Sequence, residues 1–285
     1  MLLLSYLSEP FVQRALIAAF PIGLLAGMIG TLIIARRMIY ISGSLSHAIF
    51  GGIALGLFIE ESLINLTAGG IAMSLNFPLL GAFLIAFLSA LLISFFATYH
   101  PAKQDILLSF LWSLGIAAGI IFLAKSNTLK TNLSTLLFGD LFLITTTDIL
   151  LISIIVILTT LLIAYYYSYL KIIFIDATYA TLKNIPARKI YFLILLATAT
   201  AIVTLAQAIG ITMIIALFSL SSATAALSSR TLLQMILISI LLNVAYLWLG
   251  IIISILLNIP ITPAVIILSG TGYLISEIVV HVRGN

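Results

Sequence analysis

The chain has 285 residues, 63% of them hydrophobic and 7% charged, with twelve Lys and Arg against eight Asp and Glu and a formal net charge of +4. Soluble domains carry roughly 25% charged residues, so this composition excludes a soluble enzyme and requires a chain that lives in lipid. The cations stand singly in apolar sequence, which fits the positive-inside rule and gives no support to a nucleic-acid partner; the absence of cysteine excludes thiolate metal sites and disulfides.

Met1 to Pro10 lacks the basic start of a secretory signal peptide, so insertion is expected to rely on the first span itself. Apolar segments then fall at about 11–35, 45–66, 78–98, 106–124, 147–169, 190–207, 210–227, 233–257 and 264–280. A transmembrane helix needs about 20 such residues. The pattern predicts an all-α polytopic transmembrane bundle of eight or nine spans forming one domain, 1–285, with no room for a second soluble domain. The count turns on the sixth and seventh segments, which only Ala208-Ile209-Gly210 divides; one of them could be a half-helix. Helices are required because lipid offers no partner to an unpaired backbone group. Gly23 with Gly27, Gly52 with Gly56 and Gly115 with Gly119 form Gly-x-x-x-Gly pairs, spacings that let helix backbones approach closely.

Strict alternation of the spans places Arg36, Arg37, Lys103, Lys171, Lys183, Arg188, Lys189, Arg230 and Arg283 on one side and Arg14, Lys125 and Lys130 on the other. That asymmetry predicts an external N-terminus and a cytoplasmic C-terminus. Glu9, Glu60, Glu61, Asp140 and Asp148 then face outward, either as a cation-attracting mouth or as solvated loop charges. The longest cytoplasmic connection, about 171–189, reads as a short helix over Ala177–Leu182 capped by Asp176 and stopped at Asn184 before Pro186. It is either a docking element for a cytoplasmic partner or a solvated linker.

No Gly-x-x-x-x-Gly-Lys-Ser/Thr loop occurs, so any ATP-driven work needs another chain, and the protein itself is not expected to be an enzyme. No His-Glu-x-x-His pair occurs either. Ionisable residues inside spans mark ion and proton pathways because each costs several kcal/mol, and here they are almost absent: His47 near the start of the second span, Glu277 near the end of the last. An ion-gradient-driven carrier using these two is the first rival reading, weakened by the scarcity of buried acids. His47 shares a helical face with Gly43, Ser44 and Gly51. Its imidazole could give one nitrogen to a divalent cation while the other donates to an oxygen; alternatively a neighbouring helix satisfies it.

The stretch Arg36-Arg37-Met38, then Gly43-Ser44-Leu45-Ser46-His47-Ala48, then a Gly-rich helix, resembles the membrane permease family of bacterial ATP-binding-cassette importers for zinc, manganese and iron. Leu137-Phe138-Gly139-Asp140, Asp176 with Tyr179-Ala180 and Ile185-Pro186, Ile209-Gly210 through Ala223-Thr224-Ala225, and Ile259-Pro260-Ile261-Thr262-Pro263 are similar to family segments in the same order, over roughly 11–280. The resemblance implies an inner-membrane subunit that carries a divalent metal ion as substrate, holds no permanent cofactor, pairs with a second permease copy or paralogue, and works with a cytoplasmic ATP-binding subunit and an extracytoplasmic metal-binding protein. It implies that His47 lines the translocation pathway and meets the metal, with Gly43 and Ser44 beside it, and that Asp176, Tyr179, Ala180, Ile185 and Pro186 couple to the ATPase. Ser44 stands where the family has Asp, and a hydroxyl is a weaker ligand without charge. Ser221 stands where the family usually has Pro. A degenerate, non-transporting paralogue is the second rival, raised by Ser44.

Overall fold

The computed structural model describes residues 9–66, 76–126, 133–175 and 177–284, and over these it is helical apart from turns. The helices are α1 (Pro10–Ala35), α2 (Tyr40–Leu66), α3 (Phe77–Tyr99), α4 (Gln104–Lys125), the short α5 (Leu133–Phe138), α6 (Thr146–Ile175), the short α7 (Ala177–Leu182), α8 (Ala187–Ala216), α9 (Ser222–Ser228), α10 (Leu232–Leu257) and α11 (Ile261–Gly284). Eight stretches among the described residues are long and apolar enough to cross a membrane.

One of the eight, Ala187–Ser228, has 42 residues, in which α8 runs through a π-helical turn, Leu217–Ser221, into α9. A straight helix would separate Tyr191 from Ala226 by about 52 Å at 1.5 Å per residue. Instead Tyr191 lies under the Arg36 guanidinium, 4.9 Å from ring centroid to Cζ, while Ala226 and Arg230 share a cavity wall with Ala35. Both ends therefore sit at the Arg36 end of the bundle, and the segment crosses and returns. The fold-back is at Gly210, whose φ of 71° and ψ of 164° interrupt α8. The sixth and seventh apolar segments are thus two crossings of one interrupted helix.

Local signals explain the helix ends. Thr145 and Asp148 cap α6 reciprocally: the Asp148 N–H donates to Thr145 Oγ1 at 3.2 Å and the Thr145 N–H to Asp148 Oδ2 at 3.0 Å. Asn76 and Thr231 accept from the third residue onward to start α3 and α10. At the other ends, α1, α7 and α10 close on left-handed residues, Arg37, Asn184 and Asn258. Each is followed by an N–H reaching back five residues, Met38 to Ile33, Ile185 to Ala180 and Ile259 to Ser254, which satisfies a carbonyl the helix would leave open.

The centre of the bundle is α1, α2 and the 187–228 segment, where Ile22, Ile29, Leu45, Ile49, Ile202 and Phe218 are wholly buried. Around it α6 turns Leu150, Leu151, Ile154, Leu158 and Leu161 outward at helical spacing, a stripe that only lipid or another transmembrane surface would cover. Packing at the centre is close. A Cβ on Gly23 would stand 2.5 Å from Val244 of α10 and one on Gly27 2.6 Å from Ile240; on α2, a Cβ on Gly52 or Gly56 would stand 2.6 or 2.2 Å from the Gly81 or Phe77 carbonyl oxygen of α3.

Two boundaries move. The second apolar segment begins at 45, but α2 starts at Tyr40, taking the Arg36 turn's polar residues Ser42, Ser44 and Ser46 into the helix, all buried. The connection expected at about 171–189 begins with the last turn of α6, which runs on to Ile175. Lys171 is no obstacle to this, being a good helix former, and its ammonium lies over the Tyr167 ring, 4.9 Å from the centroid.

Candidate functional site

The hydroxyls at the start of α2 serve their own helix: Ser42 Oγ donates to the Ile39 carbonyl at 2.9 Å and Ser44 Oγ to the Tyr40 carbonyl at 2.7 Å. Ser44 is wholly buried. His47, three residues on, is half-buried and lies about two turns into α2. Its ring leans on the Trp112 indole of α4, centroids 4.9 Å apart and planes 36° apart. Gly43 makes room for that indole, since a Cβ there would stand 2.1 Å from Trp112 Cζ3. One turn further along α4, Gly115 admits the His47 carbonyl, which its own Cβ would meet at 2.2 Å.

Gly43 and His47 thus share one contact, the indole, whereas Ser44 points into the packed interior. His47 Nδ1 is buried and has no hydrogen-bond partner among the described residues. The ring as a whole is only half-buried, and Nε2 is the candidate nitrogen for a ligand. A neutral imidazole can offer such a nitrogen to a divalent ion, and its orientation here is fixed by stacking rather than by a hydrogen bond. Among the described residues no group of three or more His, Asp or Glu could hold a metal ion. Glu60 and Glu61 lie at the far end of α2, about 20 Å from His47, where Ser126 Oγ, just past the end of α4, donates to Glu61 Oε2.

At the Arg36 end a second cluster ties three helices. Gln104 Nε2, at the start of α4, donates to Tyr191 Oη of α8 at 3.1 Å, and Tyr191 Oη approaches Met38 Sδ at 3.4 Å. Arg36 covers the Tyr191 ring and Arg188 covers the Tyr99 ring at 4.5 Å. Burial pulls the Arg36 guanidinium below its usual pKa, and Tyr191 pushes it partly back up. Arg36 and Met38 belong to the Arg36-Arg37-Met38 stretch, but Gln104, Tyr191 and Arg188, like Trp112, carry no sequence motif. Contacts between positions 36 and 191, or 47 and 112, arise only when separate helices pack.

Of the candidate coupling residues, Asp176 lies outside the described residues. Ala180 is wholly buried and Tyr179 is exposed, with the Lys183 ammonium 5.7 Å from its ring centroid. After the left-handed Asn184, Pro186 sits at φ −74° and ψ 59° with the Ala187 N–H donating to the Ile185 carbonyl at 2.7 Å, an inverse γ-turn that aims the chain into α8. The 177–187 segment is therefore a knob of backbone formed by a short helix and an inverse γ-turn.

At the opposite end, Gly139 and Gly210 touch backbone to backbone. Thr212 Oγ1 donates to the Leu137 carbonyl at 2.9 Å and Thr262 Oγ1 to the Phe138 carbonyl, so two hydroxyls close the C-terminus of α5. Beside them a cleft of about 440 Å³ opens between Phe11, Asp140, Asn258 and Pro260.

Comparison with known proteins gives a consistent likeness over nearly the whole chain. The model of the ABC 3 transport family matches residues 8–280. A probable metal transport system membrane protein of Chlamydia pneumoniae is 32% identical over 91% of this chain and 86% of its own length. The manganese import system permease protein ScaB of Streptococcus parasanguinis is 27% identical over 93% of this chain and 89% of its own. Among solved structures, PsaBC from Streptococcus pneumoniae in complex with Fab is similar at a TM-score of 0.79 and 25% identity, covering 96% of this chain and 94% of that one.

Proposed function

Because this chain belongs to the ABC 3 transport family, we propose that it is the membrane permease subunit of an ATP-binding-cassette importer for a divalent transition metal: manganese, zinc or iron. ATP is hydrolysed on a separate subunit, and the permease supplies the path by alternating access. The observation that carries the reading is the family match over 8–280, joined to relatives named for metal transport and manganese import.

The charge distribution supports an orientation. Arg36, Arg37, Lys103, Lys171, Arg188 and Arg230 belong to the end of the bundle that holds Tyr191, and this end faces the cytoplasm by the positive-inside rule, with the N-terminus outside and the C-terminus inside. The knob at 177–187 then faces the ATP-binding subunit, presenting Tyr179 and Pro186. The cleft by Asp140 and Asn258 faces the extracytoplasmic metal-binding protein. His47 is the pathway residue, with Nε2 as its ligand atom and Gly43 seating the indole that holds the ring. Since one chain lacks a closed ligand cage among the described residues, the metal passes with His47 as a weak, releasable contact, completed by water or by a second permease copy or paralogue.

Reconstitution with the ATP-binding subunit and the metal-binding protein tests this. Uptake of radioactive manganese, zinc or iron should require ATP and fall at least tenfold in His47→Ala. Uptake driven by a proton gradient without the ATP-binding subunit would refute the assignment.

A further inference from the structure

A cavity of about 460 Å³ opens at the Arg36 end between the last turn of α6 and the turn joining α9 to α10. Its walls carry two cations, Arg230 and Lys171, the latter with its ammonium resting over the Tyr167 ring one turn back, and among the described residues no acid. Its floor is apolar, formed by Ala35, Phe174, Leu232 and Met235. Beside it Ile175, Leu233 and Leu237 are exposed, so the apolar floor continues outward onto an exposed apolar surface.

The start of α10 adds to the positive field. Thr231 Oγ1 takes the Gln234 N–H, and Gln234 Oε1 takes the Arg230 N–H, leaving the Leu232 and Leu233 N–H groups at the helix end beside the cavity. This helix end does not define the site by itself. Two cations, an apolar floor and an opening at the edge of the spans together match an ion that is anionic at one end and hydrocarbon at the other.

We propose that this cavity is a binding site for an anionic phospholipid, its phosphate between Lys171 and Arg230 and an acyl chain along Phe174, Leu232 and Met235. Basic pockets between transmembrane helices at the membrane surface take acidic headgroups in this way. The inference is independent of the metal and of which side of the membrane this end faces. Lipid here bridges α6 to the α9–α10 turn, and through Ala35 touches the turn that leads to His47.

The test uses the full chain purified in a neutral detergent, with bound lipid read by native mass spectrometry after addition of cardiolipin, phosphatidylglycerol, phosphatidylcholine or inorganic phosphate. The anionic lipids should be retained over phosphatidylcholine, and retention should weaken as salt rises. Lys171→Gln and Arg230→Gln should each lower it about fivefold, while Lys171→Arg with Arg230→Lys should keep it. Equal retention of phosphatidylcholine, or undiminished cardiolipin in the double Gln variant, overturns the proposal. So does displacement of the lipid by millimolar inorganic phosphate, which would make it a plain anion site, or by the ATP-binding subunit, which would make it a protein contact.

Discussion

The backbones of Gly139 and Gly210 meet so closely that a Cβ on either would stand 2.3 Å from the amide nitrogen of the other. Both have positive φ, 63° and 71°. The contact joins the connection after α5 to the fold-back of the 187–228 segment, and Thr212 and Thr262 bond to the carbonyls just before it. With ψ at 164°, Gly210 occupies a region almost closed to other residues, at a cost of about 1–3 kcal/mol. Gly210→Ala should therefore lower thermal stability by at least that amount, and Gly139→Ala should lower it through the same clash. The check is a melting curve in detergent for each; an unchanged midpoint in Gly210→Ala would mean that the fold-back does not depend on this contact.

At the other end, the phenol of Tyr191 is the only oxygen among the described residues to which Gln104 Nε2 donates, the alternative acceptor being Met38 Sδ at 3.9 Å. Gln104 is nearly buried, so Tyr191→Phe strands its amide while keeping the ring under Arg36. The expected loss is about 1–2 kcal/mol. Tyr191→Leu removes the cation–π contact as well and should cost about 1 kcal/mol more. Chemical denaturation of the three proteins separates the two contributions.

These two clusters also mark what the sequence could and could not reveal. The spans were legible because each is a run of apolar residues longer than a soluble helix usually keeps, and the helix stop at Asn184 was visible as a residue type. Which face of each helix is buried was not legible, because core Ile152 and lipid-facing Leu151 are equally apolar and the period that marks a soluble helix is missing. The same limit hid Trp112 as the neighbour of His47. The resemblance placed Ser44 where the family carries a ligand, and its spacing puts it on the His47 face, yet neither says that its hydroxyl is bonded to Tyr40.

Asn243 illustrates the converse, a polar residue whose burial could not be read from an apolar helix. It is wholly buried on α10, and neither amide atom finds a partner among the described residues. Ser239, one turn away on the same face, is satisfied by Ser222 at 2.7 Å. An unpaired buried amide costs about 1–3 kcal/mol, and a same-sized apolar group removes that cost. Asn243→Leu should thus raise the melting midpoint by several degrees; a lower midpoint would reveal a buried water that the amide holds.

Asn184 holds the knob at 177–187 in shape through its left-handed backbone, φ 53°, and the Ile185 to Ala180 bond of 3.0 Å that follows. A β-branched residue there loses about 1–2 kcal/mol of local stability, whereas Gly keeps the turn. Asn184→Val should uncouple the permease, lowering metal uptake per ATP hydrolysed in reconstituted vesicles, and Asn184→Gly should leave that ratio unchanged. Equal ratios in all three proteins would remove the segment from the coupling path.

The Ser44 position supplies the sharpest test of the pathway. Ser44 and His47 are three residues apart on α2, but the serine is sealed and its hydroxyl bonded, while the His47 ring is only half-buried. A carboxylate placed at 44 would lose the Tyr40 bond and enter a dry interior, where an uncompensated charge is strongly unfavourable. Ser44→Asp should therefore melt lower than the parent in chelator. A divalent ion bridging the new carboxylate to His47 would offset that charge, so added manganese or zinc should restore the midpoint in Ser44→Asp and do little to the parent. Adding His47→Ala should abolish the restoration. If metal fails to stabilise Ser44→Asp, or does so equally without His47, the two positions do not face a common ion, and the pathway must be sought away from the start of α2.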